Sequence, residues 1–180
     1  MDQIRLSCRC GHAVMIADGG PIMAAECHCT SCGIAAERME ALPGALPIRV
    51  DTGGTQFVLL RKDRVSFQEG HDLLRSLWLT PQSKTRRVVA VCCNTPMFLD
   101  FCHGHWLSIY ADRWPAVSRP RMTLRTMTGD RTDPAPLPND IPNPKSHGMG
   151  FMVRLLGAWV AMGFRTPEVA VGQQRLESDV

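Results

Sequence analysis

The sequence lacks the features that would assign it at once to several large classes of protein. No stretch reaches the roughly 20 apolar residues of a membrane-spanning helix, and the nearest, FMVRLLGAWVAMGF at 151–164, contains Arg154. The first residues, MDQIRLSCRC, lack the apolar run of a signal peptide, which predicts a cytoplasmic protein. The formal net charge is only +3, so no nucleic-acid partner is predicted, because nucleic-acid binding usually needs a concentrated basic face.

Cysteine, by contrast, is abundant. The 180 residues include eight cysteines: Cys8, Cys10, Cys27, Cys29, Cys32, Cys92, Cys93 and Cys102. An even number permits a disulfide framework, but a reducing cytosol argues against one, and the tight spacing favours a metal site. Cys102 stands apart from the other cysteines and is interpreted as a small buried hydrophobe.

Apolar patterning predicts a mainly β fold of short antiparallel strands. Strand-like segments bounded by turn signals occur between about residues 5 and 112, among them QFVLL, VSFQ, RRVVAV, MFLDF and WLSIY. The segment SCGIAAERMEAL at 31–42 has helical character and ends at Pro43 and Gly44. A second helix is expected near the C-terminus, where Met152, Leu155 and Trp159 follow helical spacing.

These patterns divide the chain into four parts. A β domain is expected over 1–115, an Arg- and Pro-rich linker over 116–147, an apolar C-terminal helix over 148–166 and a tail over 167–180. Because the helix is apolar on most faces, it must be buried, either on its own domain or in a homodimer contact. Arginines after the β region, including Arg113 and Arg125, are interpreted as a solvated basic face and, as the sharper alternative, as anchors for carboxylates.

The stretch ECHCTSC at 26–32 offers three sulfur atoms from one loop. Cys-x-x-Cys spacing lets a short loop bring two thiolates to one ion, and Cys-x-Cys adds a third from an extended backbone. Zinc takes four ligands in a tetrahedron, so Cys27, Cys29 and Cys32 predict a zinc site with one open position, as at catalytic centres. A redox dithiol and a purely structural role are the alternatives. His28 is expected to support the loop rather than to bind the ion.

A second candidate site begins with Cys8 and Cys10 in CRCG and would be completed by VCCNTP at 91–96. Such a site would tie two β-hairpins together. Neighbouring side chains on a strand point to opposite faces, so Cys92 and Cys93 need an irregular backbone to bind the same ion. Cys93 is the safer ligand and Cys92 the alternative. In all, the sequence predicts one or two zinc ions.

The order of these motifs resembles a known family. Cys-x-Cys-Gly at 8–11, CHCTSC at 27–32 and a late cysteine before Thr95 and Pro96 look like the glutathione-dependent formaldehyde-activating family, which includes the domain of centromere protein V. The resemblance covers about residues 6–110. It implies a β-tent fold and carbon–sulfur lyase activity that condenses formaldehyde with glutathione.

The resemblance also implies two zinc ions. It would assign a structural zinc to Cys8, Cys10 and Cys93, and a catalytic zinc to Cys27, Cys29 and Cys32. The chain departs from the family's late motif, C-x-x-C-G-T. Ala90 occupies the position of the motif's first cysteine, and Asn94 occupies the position of its glycine. One structural ligand is therefore missing unless Cys92 has taken its place.

Ligand chemistry constrains function independently of the family. Three thiolates on Zn²⁺ leave a net negative charge, which weakens the ion as a Lewis acid and favours a fourth thiolate. A thiol adding to a carbonyl fits this chemistry. Together with the resemblance, which implies the activity and the thiol, it predicts a zinc-dependent carbon–sulfur lyase acting on a thiol–aldehyde adduct, with glutathione as the expected thiol. The alternatives are a non-catalytic, zinc-stapled binding or assembly module and a thiol redox sensor with a degenerate metal site.

Overall fold

A computed structural model describes residues 3–176 of the chain. Within them lie ten strands and two α-helices, in this order: β1 (Gln3–Ser7), β2 (Val14–Asp18), β3 (Met23–Cys27), α1 (Thr30–Glu40), β4 (Thr55–Arg61), β5 (Val65–Glu69), β6 (Leu74–Leu77), β7 (Thr85–Ala90), β8 (Thr95–Phe101), β9 (Trp106–Tyr110), β10 (Leu124–Thr126) and α2 (Met149–Ala161). The ends of the predicted β domain and tail, residues 1–2 and 177–180, lie outside this range.

The strands form two sheets. The smaller has the order β1-β2-β5, and the larger has the order β10-β3-β4-β9-β8-β7-β6. Neighbouring strands are antiparallel, except that β10 runs parallel to β3. The prediction of a mainly β fold of short, largely antiparallel strands with a C-terminal helix is confirmed.

The large sheet carries apolar side chains on both faces. On β4, Val58 and Leu60 pack in the core that also contains Met15 of the smaller sheet. Phe57 and Leu59 alternate with them and pack in a second cluster with residues of α1 and α2. The two helices therefore lie on the face of the large sheet opposite the smaller sheet.

Helix α1 follows β3 after two residues, and its buried side lies against the sheet. Cys32, Ala35, Ala36 and Met39 are buried. Their spacing of three, four and seven residues places them on one side of a helix. The helix predicted over 31–42 is thus confirmed, and it carries Cys32 in its first turn.

Helix α2 packs one side onto the protein and exposes the other. Leu155 is 5% exposed, whereas Met152, Val153, Leu156 and Val160 are each more than half exposed. The helix therefore packs on its own domain, and a homodimer contact through the exposed side stays a prediction.

Neither helix of the described residues is long and apolar enough to span a membrane.

The segment expected to be a linker is attached to the sheet. It contains β10, whose Leu124, Arg125 and Thr126 pair with Ala25, Glu26 and Cys27. The Arg125 amide also donates to the Pro142 carbonyl at 2.9 Å, so part of the proline-rich stretch lies beside β10. The boundaries at 116 and 147 stay predictions.

Cys102 is exposed, which corrects its interpretation as a buried hydrophobe. It follows Phe101, the last residue of β8, in the turn that leads to β9. The next residue, His103, has a φ of +60°. The chain leaves the sheet in this turn, so the Cys102 side chain does not reach the core.

Candidate metal centres

The first centre, the four-cysteine group, consists of Cys8, Cys10, Cys92 and Cys93. Their sulfur atoms all lie within 4.8 Å of one another. The recorded Sγ–Sγ distances are 3.5 Å for Cys8 and Cys10, 3.7 Å for Cys8 and Cys92, 3.3 Å for Cys10 and Cys92, and 3.9 Å for Cys92 and Cys93.

These distances fit a tetrahedral metal site. A zinc–sulfur bond of 2.3 Å gives a tetrahedral edge of about 3.8 Å, near the sulfur–sulfur distances of 3.3–3.9 Å. A disulfide bond would require about 2.05 Å, and all eight cysteines are free. The four-cysteine group therefore fits one zinc ion with a complete set of protein ligands.

Two turns bring the four sulfurs together. Cys8 directly follows β1, and its amide donates to the Ala13 carbonyl at 3.0 Å across the turn to β2. Cys92 and Cys93 lie in the turn between β7 and β8, where Asn94 has a φ of +49°. Because this turn is not extended strand, adjacent side chains need not point to opposite faces. Both Cys92 and Cys93 are therefore in the group.

The four-cysteine group is supported mainly on its buried side. The Ala13 amide donates to the Cys8 sulfur at 3.3 Å, and the Thr95 hydroxyl lies 3.0 Å from the Cys93 sulfur. Burial raises the pKa of Cys93, but hydrogen bonds from Thr95 and Cys10 outweigh it and bring that pKa to about 6. Cys10 and Cys92, on the outer side, are exposed.

The second centre, the tripod, consists of Cys27, Cys29 and Cys32, whose sulfurs also lie within 4.8 Å of one another. Cys27 ends β3, Cys29 is the N-cap residue of α1, and Cys32 lies in the first turn of the helix. Cys29 has extended backbone angles, with φ −67° and ψ +148°, as the Cys-x-Cys spacing requires. The Sγ atoms of Cys27 and Cys32 are 3.7 Å apart.

Electrostatics favour negative charge at the tripod. The N-terminal end of α1 carries a partial positive charge, which stabilises thiolates there. Hydrogen bonds from Cys27 and Cys32 lower the pKa of Cys29 to about 2, although burial opposes this shift. The hydrogen bond with Cys29 raises the pKa of Cys27 to about 12.

The tripod has no fourth protein ligand among residues 3–176. No further cysteine, histidine or carboxylate atom of these residues joins the three sulfurs within 4.8 Å. His28, between two of the cysteines, instead places Nε2 at 2.9 Å from a carboxylate oxygen of Glu26. His105 hydrogen-bonds through Nε2 to the Leu155 carbonyl at 2.8 Å.

Glu26 anchors a buried polar network beside the tripod. Besides His28, the Glu26 carboxylate accepts hydrogen bonds from Thr52, Gln56 and Arg125. Burial would raise its pKa, but these hydrogen bonds and the Arg125 charge outweigh burial and bring the pKa to about 2. Side chains alternate along a strand, so Glu26 and Cys27 point to opposite faces of β3.

Arg125 is 5% exposed, so its interpretation as part of a solvated basic face is wrong. Its guanidinium contacts Glu26 at 3.2 Å and Asp140 at 2.7 Å. These two ion pairs explain its burial, because a buried guanidinium needs charged partners. Together they attach the 138–143 stretch to the end of β3.

The surroundings of the tripod include residues that the sequence reasoning missed. Cys32 belongs to the apolar cluster between the sheet and the helices, and Cys27, Cys29 and Phe151 of α2 pack against that cluster. Thr126 is the β10 partner of Cys27. Its Oγ1 lies 2.9 Å from Nδ1 of His147, just before α2. No local spacing signals this arrangement, because it depends on the pairing of β10 with β3.

Comparisons with known proteins assign neither a family nor a function. No family model and no curated protein matches the chain. A crystal structure of a Rhodobacter sphaeroides protein, a structural-genomics target, is 13% identical and aligns with a TM-score of 0.46 over 64% of this chain and 91% of that one.

Proposed function

We propose that this protein binds two zinc ions and acts as a carbon–sulfur lyase on a thiol–aldehyde adduct of the glutathione–formaldehyde type. The four-cysteine group would hold a structural zinc, and the tripod would hold a zinc with an open position. The observation that carries the proposal is the presence of three converging sulfurs with no fourth protein ligand in residues 3–176. The motif resemblance to glutathione-dependent formaldehyde-activating enzymes supports it.

Zinc held by three thiolates would favour a thiolate as its fourth ligand and keep the bound sulfur nucleophilic. In the proposed reaction, the sulfur of the thiol forms a bond to the aldehyde carbon. The carbon–oxygen π bond breaks at the same time, and the oxygen gains one proton for the one that the thiol loses, giving a hemithioacetal, the S-hydroxymethyl adduct, from formaldehyde. The chain's part is to hold the tripod at the start of α1 and to enclose it with apolar residues of both helices.

Zinc analysis tests the metal part of the proposal. Protein purified without added metal should contain two zinc equivalents per chain, and a Cys29→Ala variant should contain one. Less than about half an equivalent in the wild type would refute zinc binding at both centres, because structural zinc sites bind the ion tightly enough to retain it during purification.

Turnover needs a separate test. Hydroxymethyl-glutathione formation from glutathione and formaldehyde can be followed by NMR with wild type, Cys29→Ala and Cys102→Ala. We expect acceleration by wild type and by Cys102→Ala, whose exposed thiol lies outside both groups. If wild type is no faster than Cys29→Ala, the lyase proposal fails.

A non-catalytic zinc-stapled assembly module is the second candidate, and the exposed apolar side of α2 favours it. It requires a homodimer, which sedimentation velocity would detect. Leu156→Glu should then convert the dimer to monomer, whereas a monomeric wild type would exclude this form of assembly.

A cytoplasmic location and the lack of a nucleic-acid partner also stay predictions.

A further inference from the structure

His147 is tied to the tripod by β10. In the pairing of β10 with β3, Thr126 is the partner of Cys27, and paired residues present their side chains on the same face of a sheet. Thr126 is 1% exposed, and its Oγ1 lies 2.9 Å from Nδ1 of His147. A buried hydroxyl beside Cys27 thus fixes the position of one imidazole nitrogen.

A second contact fixes the plane of the ring. His147 stacks on Phe151 with the ring centroids 4.5 Å apart and an interplanar angle of 19°. Phe151 in turn packs against the apolar cluster that contains Cys32. The imidazole is therefore held by Thr126, the strand partner of Cys27, and by Phe151, which packs against the cluster of Cys32, while His147 itself remains exposed to solvent.

One tautomer of His147 satisfies both contacts of the Thr126 hydroxyl. Thr126 Oγ1 lies 3.4 Å from the Ser146 carbonyl oxygen, which can only accept. If the hydroxyl donates to Ser146, its oxygen accepts from Nδ1–H of His147. This arrangement satisfies both contacts, and it leaves a free lone pair on Nε2.

We propose that His147 accepts the proton of the thiol that binds at the open position of the tripod, a step that rests on the proposed function. The S–H bond breaks, its electron pair remains on sulfur as a thiolate that a metal in the tripod would bind, and the proton moves to Nε2. A fourth thiolate would give a zinc-loaded centre a second net negative charge, which the imidazolium of His147 would offset. Thr126 and Phe151 are positioning residues for this transfer.

Isothermal titration calorimetry with glutathione tests the transfer directly. Titrating the zinc-loaded full chain in two buffers of different ionisation enthalpy gives the number of protons released per thiol bound. Wild type should release about one proton fewer than His147→Gln, and the variant should bind about fivefold more weakly, as for loss of an ion pair at a partly exposed site. His103→Gln, which changes a histidine in the β8–β9 turn, should behave as wild type.

Thr126→Val tests the positioning role, because it removes the hydroxyl and keeps the shape of the side chain. Its proton count should move toward that of His147→Gln. Equal proton counts in wild type and His147→Gln would overturn the proposal for His147 alone. Failure of wild type to bind any thiol would overturn the proposed function, and the role of His147 with it.

Cobalt substitution separates proton transfer from metal ligation. Without thiol, the visible spectra of cobalt-loaded wild type and His147→Gln should coincide, since the imidazole does not belong to the sulfur group. A shifted ligand-field band in His147→Gln would identify His147 as the fourth ligand and overturn its role as proton acceptor.

Discussion

In the four-cysteine group a metal would join parts of the chain far apart in sequence, whereas in the tripod it would bind one short stretch. Cys8 and Cys92 are 84 positions apart, and Cys27 and Cys32 are 5 apart. Loop-closure entropy grows with the logarithm of loop length, so the longer cross-link constrains the unfolded chain by about 2.5 kcal/mol more. A bound metal would thus contribute mainly to stability at the four-cysteine group, whereas at the tripod it would keep a position for a further ligand.

The two centres also differ in what surrounds them. The four-cysteine group lies between two hairpin turns and exposes Cys10 and Cys92. The tripod lies where β3, β10, α1 and α2 meet, with Cys32 buried. A metal with four protein ligands tolerates solvent, whereas an open site benefits from apolar walls that exclude competing water.

The largest expected effect is that of Cys8→Ala. Loss of zinc from the four-cysteine group should lower the free energy of unfolding by about 4 kcal/mol when free zinc is about 1,000-fold above its dissociation constant. Urea unfolding in zinc-containing buffer measures this loss. Cys102→Ala serves as the control and should stay within about 0.5 kcal/mol of wild type. A loss below about 1 kcal/mol in Cys8→Ala would show that a metal cross-link at this centre does not stabilise the fold.

Arg125→Ala should affect the tripod and spare the four-cysteine group. It leaves the Glu26 carboxylate buried without its guanidinium partner, which should cost about 3 kcal/mol of stability. It also loosens β10 against β3, so a chelator should remove one of the two zinc ions faster than from wild type. Arg61→Ala breaks an ion pair with Asp63 near the surface. It serves as the control and should leave the rates of zinc release from both centres unchanged. Equal release rates in Arg125→Ala and wild type would contradict this support of the tripod.

Cys29→Ala should remove zinc from the tripod at a smaller cost in stability. Because the tripod's ligands close a loop of only 5 positions rather than 84, we expect a loss of about 1.5 kcal/mol. The free energy of unfolding and the zinc content of Cys29→Ala and Cys8→Ala are measured in parallel to test this difference. If Cys29→Ala loses as much stability as Cys8→Ala, a metal at the tripod also stabilises the fold, and the non-catalytic zinc module becomes the favoured function.

The sequence predicted those parts of the site that depend on local spacing. Cys27, Cys29 and Cys32 converge because an extended residue and one helical turn suffice to bring them together. The inclusion of both Cys92 and Cys93 depends on the backbone of one turn, in which Asn94 adopts a positive φ. Asn tolerates that conformation better than most residues, but its presence alone does not reveal the turn.

The surroundings of the tripod could not be predicted because they depend on long-range pairing. β10 is only three residues long and lies between proline-rich and arginine-rich segments, so no alternation marks it as a strand. Arg125 therefore looked like a surface charge. Nothing in the sequence links His147 to Cys27, since the connection passes through Thr126 and the parallel pairing of β10 with β3.

The smallest expected effects come from the hydroxyl groups that contact the sulfurs. Thr95→Val removes a hydroxyl 3.0 Å from the Cys93 sulfur in the four-cysteine group, and Ser31→Ala removes one 3.2 Å from the Cys29 sulfur in the tripod. Thr95 is buried, so its loss should cost about 1 kcal/mol and lower zinc affinity about tenfold. Ser31 makes an exposed contact and should change stability by less than about 0.5 kcal/mol.

Thiol titration of the cobalt-loaded Ser31 and Thr95 variants then distinguishes the two centres. Ser31→Ala should alter thiol affinity, because the hydroxyl contacts a sulfur of the open site. Thr95→Val should leave it unchanged, since its sulfur belongs to a group with four protein ligands. If Thr95→Val weakens thiol binding and Ser31→Ala does not, the added thiol binds at the four-cysteine group by displacing Cys10 or Cys92, and the functional roles assigned to the two centres must be exchanged.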